Sequence, residues 1–176
     1  MKVLLHACCA PCSIFPLRTL RGEGAEVTAF FFNHNIHPYQ EYRRRLETVR
    51  QWSELEGVEL QVRDEYLLDD FLAAVAREPA ARCAYCYASR LEAAAQAAAQ
   101  GGFDAFTSSL LYSRFQKHDL IRELGELAGE RHGVRFLYAD YRSGWQEGIR
   151  VSREMGLYRQ QYCGCIYSER DRYLGG

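Results

Sequence analysis

Seven cysteines fall into three tight groups: Cys8-Cys9 with Cys12, Cys83-x-x-Cys86, and Cys163-Gly164-Cys165. Cysteine that only fills a core comes singly, whereas clustered thiols point to metal, cluster or redox chemistry. One soft metal centre must collect several thiolates from short, turn-forming stretches. Adjacent and C-x-x-C pairs meet that need because they place two sulfurs on one side of a turn. Cys8, Cys9, Cys83 and Cys86 together supply the sulfurs that a tetrahedral zinc or an iron–sulfur cluster requires. Structural zinc favours paired C-x-x-C knuckles, and the side chains of adjacent cysteines diverge, so Cys8-Cys9 leans to the larger multi-iron object. Cys163-Gly164-Cys165 differs in kind. Two sulfurs separated by one glycine can close a small strained ring, and strained disulfides are the reducible, catalytic sort. The same pair could instead add two more metal ligands.

The elements that must position these groups alternate strand with helix. Val3 to Ala7 reads as a buried strand ending at Cys8-Cys9-Ala10-Pro11-Cys12-Ser13. There Pro11 stops the ladder and Ser13 can cap a helix that runs through Pro16-Leu17 to about Arg21. A second strand, Val27 to Asn33, leads into the polar loop Asn33 to Pro38. Tyr42, Leu46, Val49, Trp52 and Leu55 mark one face of a helix over Tyr39–Glu56, closed by Gly57. A third strand, Val58 to Val62, precedes a helix over Leu67–Arg77 that breaks near Pro79. Cys83 opens an alanine-rich helix through Ala99, whose N-terminal dipole favours thiolate. Phe103–Ser108 and Val134–Tyr138 complete five strands around a helix over Gln116–Arg131, and the segment after Arg142 is helical, then irregular around Cys163. The pattern predicts a single α/β domain over 1–176, doubly wound on a mainly parallel five-stranded sheet, with an irregular C-terminal helical segment. In such sheets ligands gather beyond the carboxyl ends of the strands. The loops Cys8–Ser13, Asn33–Pro38 and Ser108–Arg114 each follow a strand, so they should converge on one site.

Composition narrows the class. The chain is 48% hydrophobic over 176 residues, enough for a globular core. No apolar run approaches the roughly 20 residues of a membrane span, and Met1–Ala7 reads as strand and not as a signal peptide. A cytoplasmic location follows, where thiols stay reduced unless redox-active, and the odd cysteine count argues the same way. The net charge of −1 gives no global field for nucleic acid. Cations cluster locally at Arg43-Arg44-Arg45, Arg150, Arg153, Arg159, Arg170 and Arg172, with tyrosines among them. No glycine-rich phosphate loop follows the first strand, which disfavours a phosphate cradle there.

Among the histidines, His6 reads as a satisfied core residue, His34 and His37 as functional candidates in a strand-end loop, and His118 and His132 as surface helix residues. Tyr85, Tyr87, Tyr158, Tyr162 and Tyr167 flank the cysteines, as core filler or as walls of a base pocket.

Six ordered blocks resemble one known family. They are Leu4-Leu5-His6-Ala7-Cys8-Cys9-Ala10-Pro11-Cys12-Ser13, Asn33-x-Asn35-Ile36-His37-Pro38, Arg82-Cys83-x-x-Cys86-Tyr87 with Arg90-Leu91, Ser108-x-Leu110-Leu111-x-Ser113, Gln116-Lys117-His118, and Tyr158 to Ser168 around Cys163-Gly164-Cys165. Together they resemble the cobalamin-independent epoxyqueuosine reductases of the QueH type. The resemblance implies a Rossmann-like fold akin to adenine-nucleotide hydrolase and PP-loop domains. It implies the last step of queuosine synthesis, the reductive removal of an epoxide oxygen from epoxyqueuosine in a tRNA anticodon. By position, Cys8, Cys9, Cys83 and Cys86 would hold a [4Fe-4S] cluster, and Cys163 and Cys165 would form a redox-active disulfide. An additional mononuclear iron is implied, with Cys12, at a place where some members carry aspartate, as a ligand of that second metal. Asn33, Asn35, His37, Tyr87 and Arg159 are the residues expected to meet the substrate. The implied partners are tRNA and an electron donor that the sequence leaves unidentified.

The chemistry fits the residues: deoxygenating an epoxide takes two electrons and an acid on the departing oxygen. Two other classes remain open on the residues alone. A structural zinc or tRNA-binding module would have no use for Cys163-Gly164-Cys165, and a simple thiol–disulfide oxidoreductase would have no use for the other five cysteines.

Overall fold

The computed structural model describes residues 1–175. Five parallel strands, β1 (Lys2–His6), β2 (Glu26–Phe31), β3 (Glu59–Val62), β4 (Ala105–Ser108) and β5 (Arg135–Phe136), form one sheet in the order β3-β2-β1-β4-β5. Parallel neighbours need helical crossovers, and these cover both faces. Leu4 packs into a core with Leu91, Ala94 and Ile121, from α4 (Arg82–Gln100) and α5 (His118–His132). Val3 and Leu5 point the other way, onto Leu17 and Trp52 of α1 (Ala10–Gly22) and α2 (Tyr39–Glu56), and Val151 of α6 (Trp145–Glu154) joins them. Alternation along β1 thus feeds two cores, and truncating Leu4 or Leu5 to alanine would cost about 2–5 kcal/mol.

Strand order reverses between β1 and β4, so the chain leaves β1 towards β2 on one side and returns at β4 on the other. The crevice at that switch point is where this architecture binds ligands. Two smaller helices complete the fold, α3 (Leu68–Val75) and α7 (Ile166–Tyr173). Among the described residues, no helix is long and apolar enough to cross a membrane.

Most expected boundaries agree within one or two residues, and α2 agrees at both ends. Ser13 does not cap α1. The helix already starts at Ala10, because a proline is tolerated in a first turn where its missing N–H has no partner to lose. Ser13 Oγ instead donates to the Cys9 carbonyl at 2.8 Å, and Cys12 lies within the first turn. His118 is not a surface residue: it is buried, with Nε2 3.3 Å from the Ser113 carbonyl. His132 contacts Glu92 Oε1 at 2.8 Å.

Candidate metal and redox site

The end of β1 delivers Cys8, and Cys9 forms the N-cap of α1. This turn brings the Sγ atoms of Cys8, Cys9 and Cys12 within 4.8 Å of one another, a group able to hold a metal ion. The adjacent pair does not diverge as the sequence suggests; its sulfurs are 3.8 Å apart. The strand-to-helix turn swings both side chains to one side. Ser109, in the turn after β4, locks the position: its Oγ accepts from the Cys8 amide at 2.9 Å and donates to Cys8 Sγ at 3.1 Å. Hydrogen bonds from Cys12 and Cys9 hold the Cys8 thiol well below its ordinary pKa, with Ser109 adding to the effect. Burial pushes Cys9 up. The arrangement favours one thiolate accepting from its neighbours.

Cys83 and Cys86 occupy the start of α4. Cys86 Sγ accepts from Arg90 Nη2 at 2.8 Å, one helical turn on. Arg90 is 3% exposed. Its other donors meet the Cys86 carbonyl at 3.2 Å and Asn33 Oδ1 at 3.3 Å. Among the described residues no carboxylate pairs with it. A buried guanidinium must be balanced by negative charge, and the sulfurs around it, Cys86, Cys8 and Cys163, supply that charge when ionised or joined to a metal centre. Burial opposes its charge, and these sulfurs more than offset that opposition.

Cys163 and Cys165 reach the same region from the segment between α6 and α7. Both are free thiols, Cys163 facing solvent and Cys165 buried against Phe71 and Val75. Gln116 Nε2 donates to Cys163 Sγ at 3.2 Å, and Tyr87 holds that glutamine through a 2.5 Å bond to Oε1. Protein atoms crowd Cys163 on all but its open side, and this burial raises its thiol pKa. Arg45 Nη1 and Nη2 donate to the Cys163 and Tyr162 carbonyls at 2.7 and 3.0 Å. His37 clamps the same loop: its amide donates to the Gly164 carbonyl at 2.8 Å and its Nδ1 accepts from the Ile166 amide at 3.1 Å. Gln160 ties the loop to the first group, donating to Cys9 Sγ at 2.8 Å.

Two of the three strand-end loops meet: Cys8, Cys9 and Cys12 of the first and Leu110 and Ser113 of the third line one cavity of about 490 Å3 with Gln116, Gln160 and Cys163. The Asn33–Pro38 loop and the thiols Cys83, Cys86 and Cys165 lie outside that lining, and the close sulfur group holds Cys8, Cys9 and Cys12 without them. Of the five residues expected to meet substrate, none is in its lining. Asn33 is spent on the Ala7 carbonyl, at 3.0 Å, and on Arg90. Asn35 and His37 are buried behind the Cys163 loop, and the Tyr87 hydroxyl serves Gln116. Arg159 lies outside the lining, its carbonyl accepting from Gln161 at 3.2 Å. The flanking tyrosines are similarly engaged: Tyr158 Oη donates to Glu41 and Tyr162 Oη to the His37 carbonyl, while Tyr85 and Tyr167 pack beside Cys165. His6 is satisfied by Ser108 Oγ at 2.8 Å and the Phe32 carbonyl at 3.2 Å, as a core histidine should be.

Sequence reasoning passed over Ser109, Gln116 and Gln160 as sulfur partners, and Phe115 and Trp145 at the cavity mouth. Gln116 and Gln160 carried a signal, since both lie in the blocks that resemble the known family, and Ser109 and Phe115 lie in or beside the loop after the fourth strand; nothing in the chain marks Trp145.

Known proteins resemble this chain in fold and in sequence. By fold, the chain is similar to a protein described as a predicted subunit of tRNA methyltransferase from Methanocaldococcus jannaschii, with a TM-score of 0.57 at 15% identity over 88% of this chain and 75% of that one. The family described as epoxyqueuosine reductase QueH matches residues 3–171. A relative of that name from Dehalococcoides mccartyi is 38% identical over 98% of this chain and 94% of its own length. Another from Thermotoga maritima is 35% identical over 97% and 91%. With the family's match running nearly end to end and relatives 35% and 38% identical over almost the whole chain, the chain belongs to the epoxyqueuosine reductase QueH family.

Proposed function

We propose that this chain reduces epoxyqueuosine in tRNA to queuosine, using a [4Fe-4S] cluster held by Cys8, Cys9, Cys83 and Cys86, a second iron to which Cys12 contributes, and the dithiol Cys163/Cys165. Family membership supports the reaction. Arg90 is the observation that carries the cluster: a buried cation without a carboxylate calls for an anionic sulfur centre at that place. The donor set fits, since soft thiolates at the N-termini of α1 and α4 favour iron or zinc over harder ions. When bound, the cluster supplies electrons one at a time.

The chain's own residues supply the rest. Opening an epoxide to an alkene consumes two electrons and two protons and releases water. Oxidation of two thiols to one disulfide provides both pairs, so the Cys163 and Cys165 thiols balance the reaction, and an external donor then restores them. Gln116 orients Cys163 Sγ towards the cavity, and Arg45 and His37 fix the backbone on either side.

Anaerobic purification with iron, sulfide and zinc analysis tests the proposal. The expected result is brown protein with at least about four irons per chain and sulfur-to-iron absorption. Colourless protein carrying a single zinc would overturn it. Cys163→Ser and Cys165→Ser should each abolish turnover of epoxyqueuosine tRNA with the absorption near normal; full activity of either would remove the dithiol from the mechanism.

A further inference from the structure

At the mouth of the cavity, the segment following β4 holds an aromatic ring in solvent. Phe115 is 83% exposed and lines the opening. Its ring meets Trp145 edge-on, with centroids 5.8 Å apart at 76°. Trp145 belongs to the same lining and stacks on Tyr112, 5.3 Å away at 26°. The Tyr112 hydroxyl donates to the Trp145 carbonyl at 2.9 Å. The backbone on either side of Trp145 is closely packed: a Cβ on Gly144 would fall 2.0 Å from the Phe15 ring, and one on Gly148 2.2 Å from Tyr112 Oη. The Arg114 guanidinium lies 5.7 Å from the Trp145 centroid. Inside the mouth the charged side chains are Arg45, Arg90 and Arg172, with no carboxylate in the lining.

A lone exposed phenylalanine needs no explanation. This one stands against an aromatic stack, with Arg114 over the Trp145 ring and Arg172 in the lining, and aromatic surface beside arginine is how proteins grip unpaired nucleic acid. A base offers an apolar face on a polyanionic chain, so aromatic surface beside arginine recognises it with little regard to sequence. At about 490 Å3 the cavity is of small-molecule size, room for one nucleoside and not for a loop of RNA. We infer that Phe115 and Trp145 form a stacking platform for the unpaired base next to the nucleoside that enters the cavity. The inference rests on the proposed function for what enters the cavity, and the platform itself takes RNA bases of any identity.

The probe is an unmodified synthetic anticodon stem–loop, with a fully paired duplex of matched length as comparator. Trp145 reports binding directly, since the other tryptophan, Trp52, is completely buried. The stem–loop should quench tryptophan emission and the duplex should not. Phe115→Ala, a change at a solvent-exposed side chain, should weaken stem–loop binding by roughly 5- to 150-fold, the range that losing one base–aromatic stack spans. Phe115→Trp should restore affinity. Wild-type affinity in Phe115→Ala, or equal quenching by the duplex, would overturn the platform. The first of these would leave the ring free for a protein partner. Both results are independent of catalysis: a wild-type enzyme that reduces epoxyqueuosine while Phe115→Ala binds RNA normally sinks this inference alone. A protein that binds the loop through Phe115 yet never reduces epoxyqueuosine sinks the proposed reaction alone.

Discussion

Arg45 is where the Cys163 loop can be tested most sharply. Its side chain is 2% exposed and forms a 2.7 Å ion pair with Glu41, itself only 11% exposed. The same guanidinium donates to the Cys163 and Tyr162 carbonyls, and it lies 5.3 Å from the centroid of the Tyr162 ring. Arg45→Met leaves the Glu41 carboxylate with the Tyr158 hydroxyl as its remaining hydrogen-bond partner, at 2.8 Å, and strips two loop carbonyls. Breaking a buried pair from one side costs about 3–5 kcal/mol. Arg45→Lys keeps the charge but cannot fork to both carbonyls; losing bonds worth about 1 kcal/mol each should cost about 2 kcal/mol, close to 30-fold in the equilibrium between closed and open states. Urea denaturation reads the global part. Hydrogen exchange across residues 162–166 reads local opening, where most of the lysine effect should appear. Glu41→Gln together with Arg45→Met should be less damaging than the sum of the singles, with a coupling of about 0.5–3 kcal/mol. Strict additivity, or unchanged exchange in Arg45→Lys, would refute the idea that this ion pair straps the loop.

Further tests address other parts of the molecule. Gly129→Ala puts a Cβ 2.6 Å from the backbone oxygen of Val134, which cannot swing aside; a loss of about 1–3 kcal/mol is expected in thermal melting, and a neutral change would mean that α5 and β5 are less tightly packed. Gln160→Leu removes the N–H donor from Cys9 Sγ, so the potential of the loaded protein should move to more negative values in spectroelectrochemistry; an unmoved potential would deny that bond any electronic role. Burial lowers His34 and His37 from 6.5 to about 4. Between those values the unfolded chain binds more protons than the folded one, so stability is whole above the unfolded value and declines as pH falls towards 4. At about 1.4 kcal/mol for each unit, the urea midpoint should drop clearly between about pH 7 and about pH 5, and a flat profile would show that these imidazoles are not held neutral.

Much of this molecule was legible in the chain itself. Period-two and period-3.6 hydrophobicity, punctuated by Gly22, Gly57 and Pro79, marked the five strands and the helices up to α5, because burial against a sheet demands those periods locally; α7, which buries no side chain, fell in the segment read as irregular. Cysteine spacing marked the site, since ligands for one centre must come in turn-sized groups. Two things depended on the tertiary structure. Whether Cys8 and Cys9 could face one way was a matter of the strand-to-helix turn, whose geometry adjacent residues do not reveal. Which polar residues would serve the sulfurs, and which would be used up as scaffolding, rested on contacts across more than a hundred residues, such as Ser109 with Cys8 and Gln160 with Cys9. Asn33, His37 and Tyr87, expected to meet the substrate, have side chains that bond Arg90, the Ile166 amide and Gln116 and lie outside the cavity lining. Packing across the chain sets those partners, and a polar residue looks the same in one dimension whichever partner it takes.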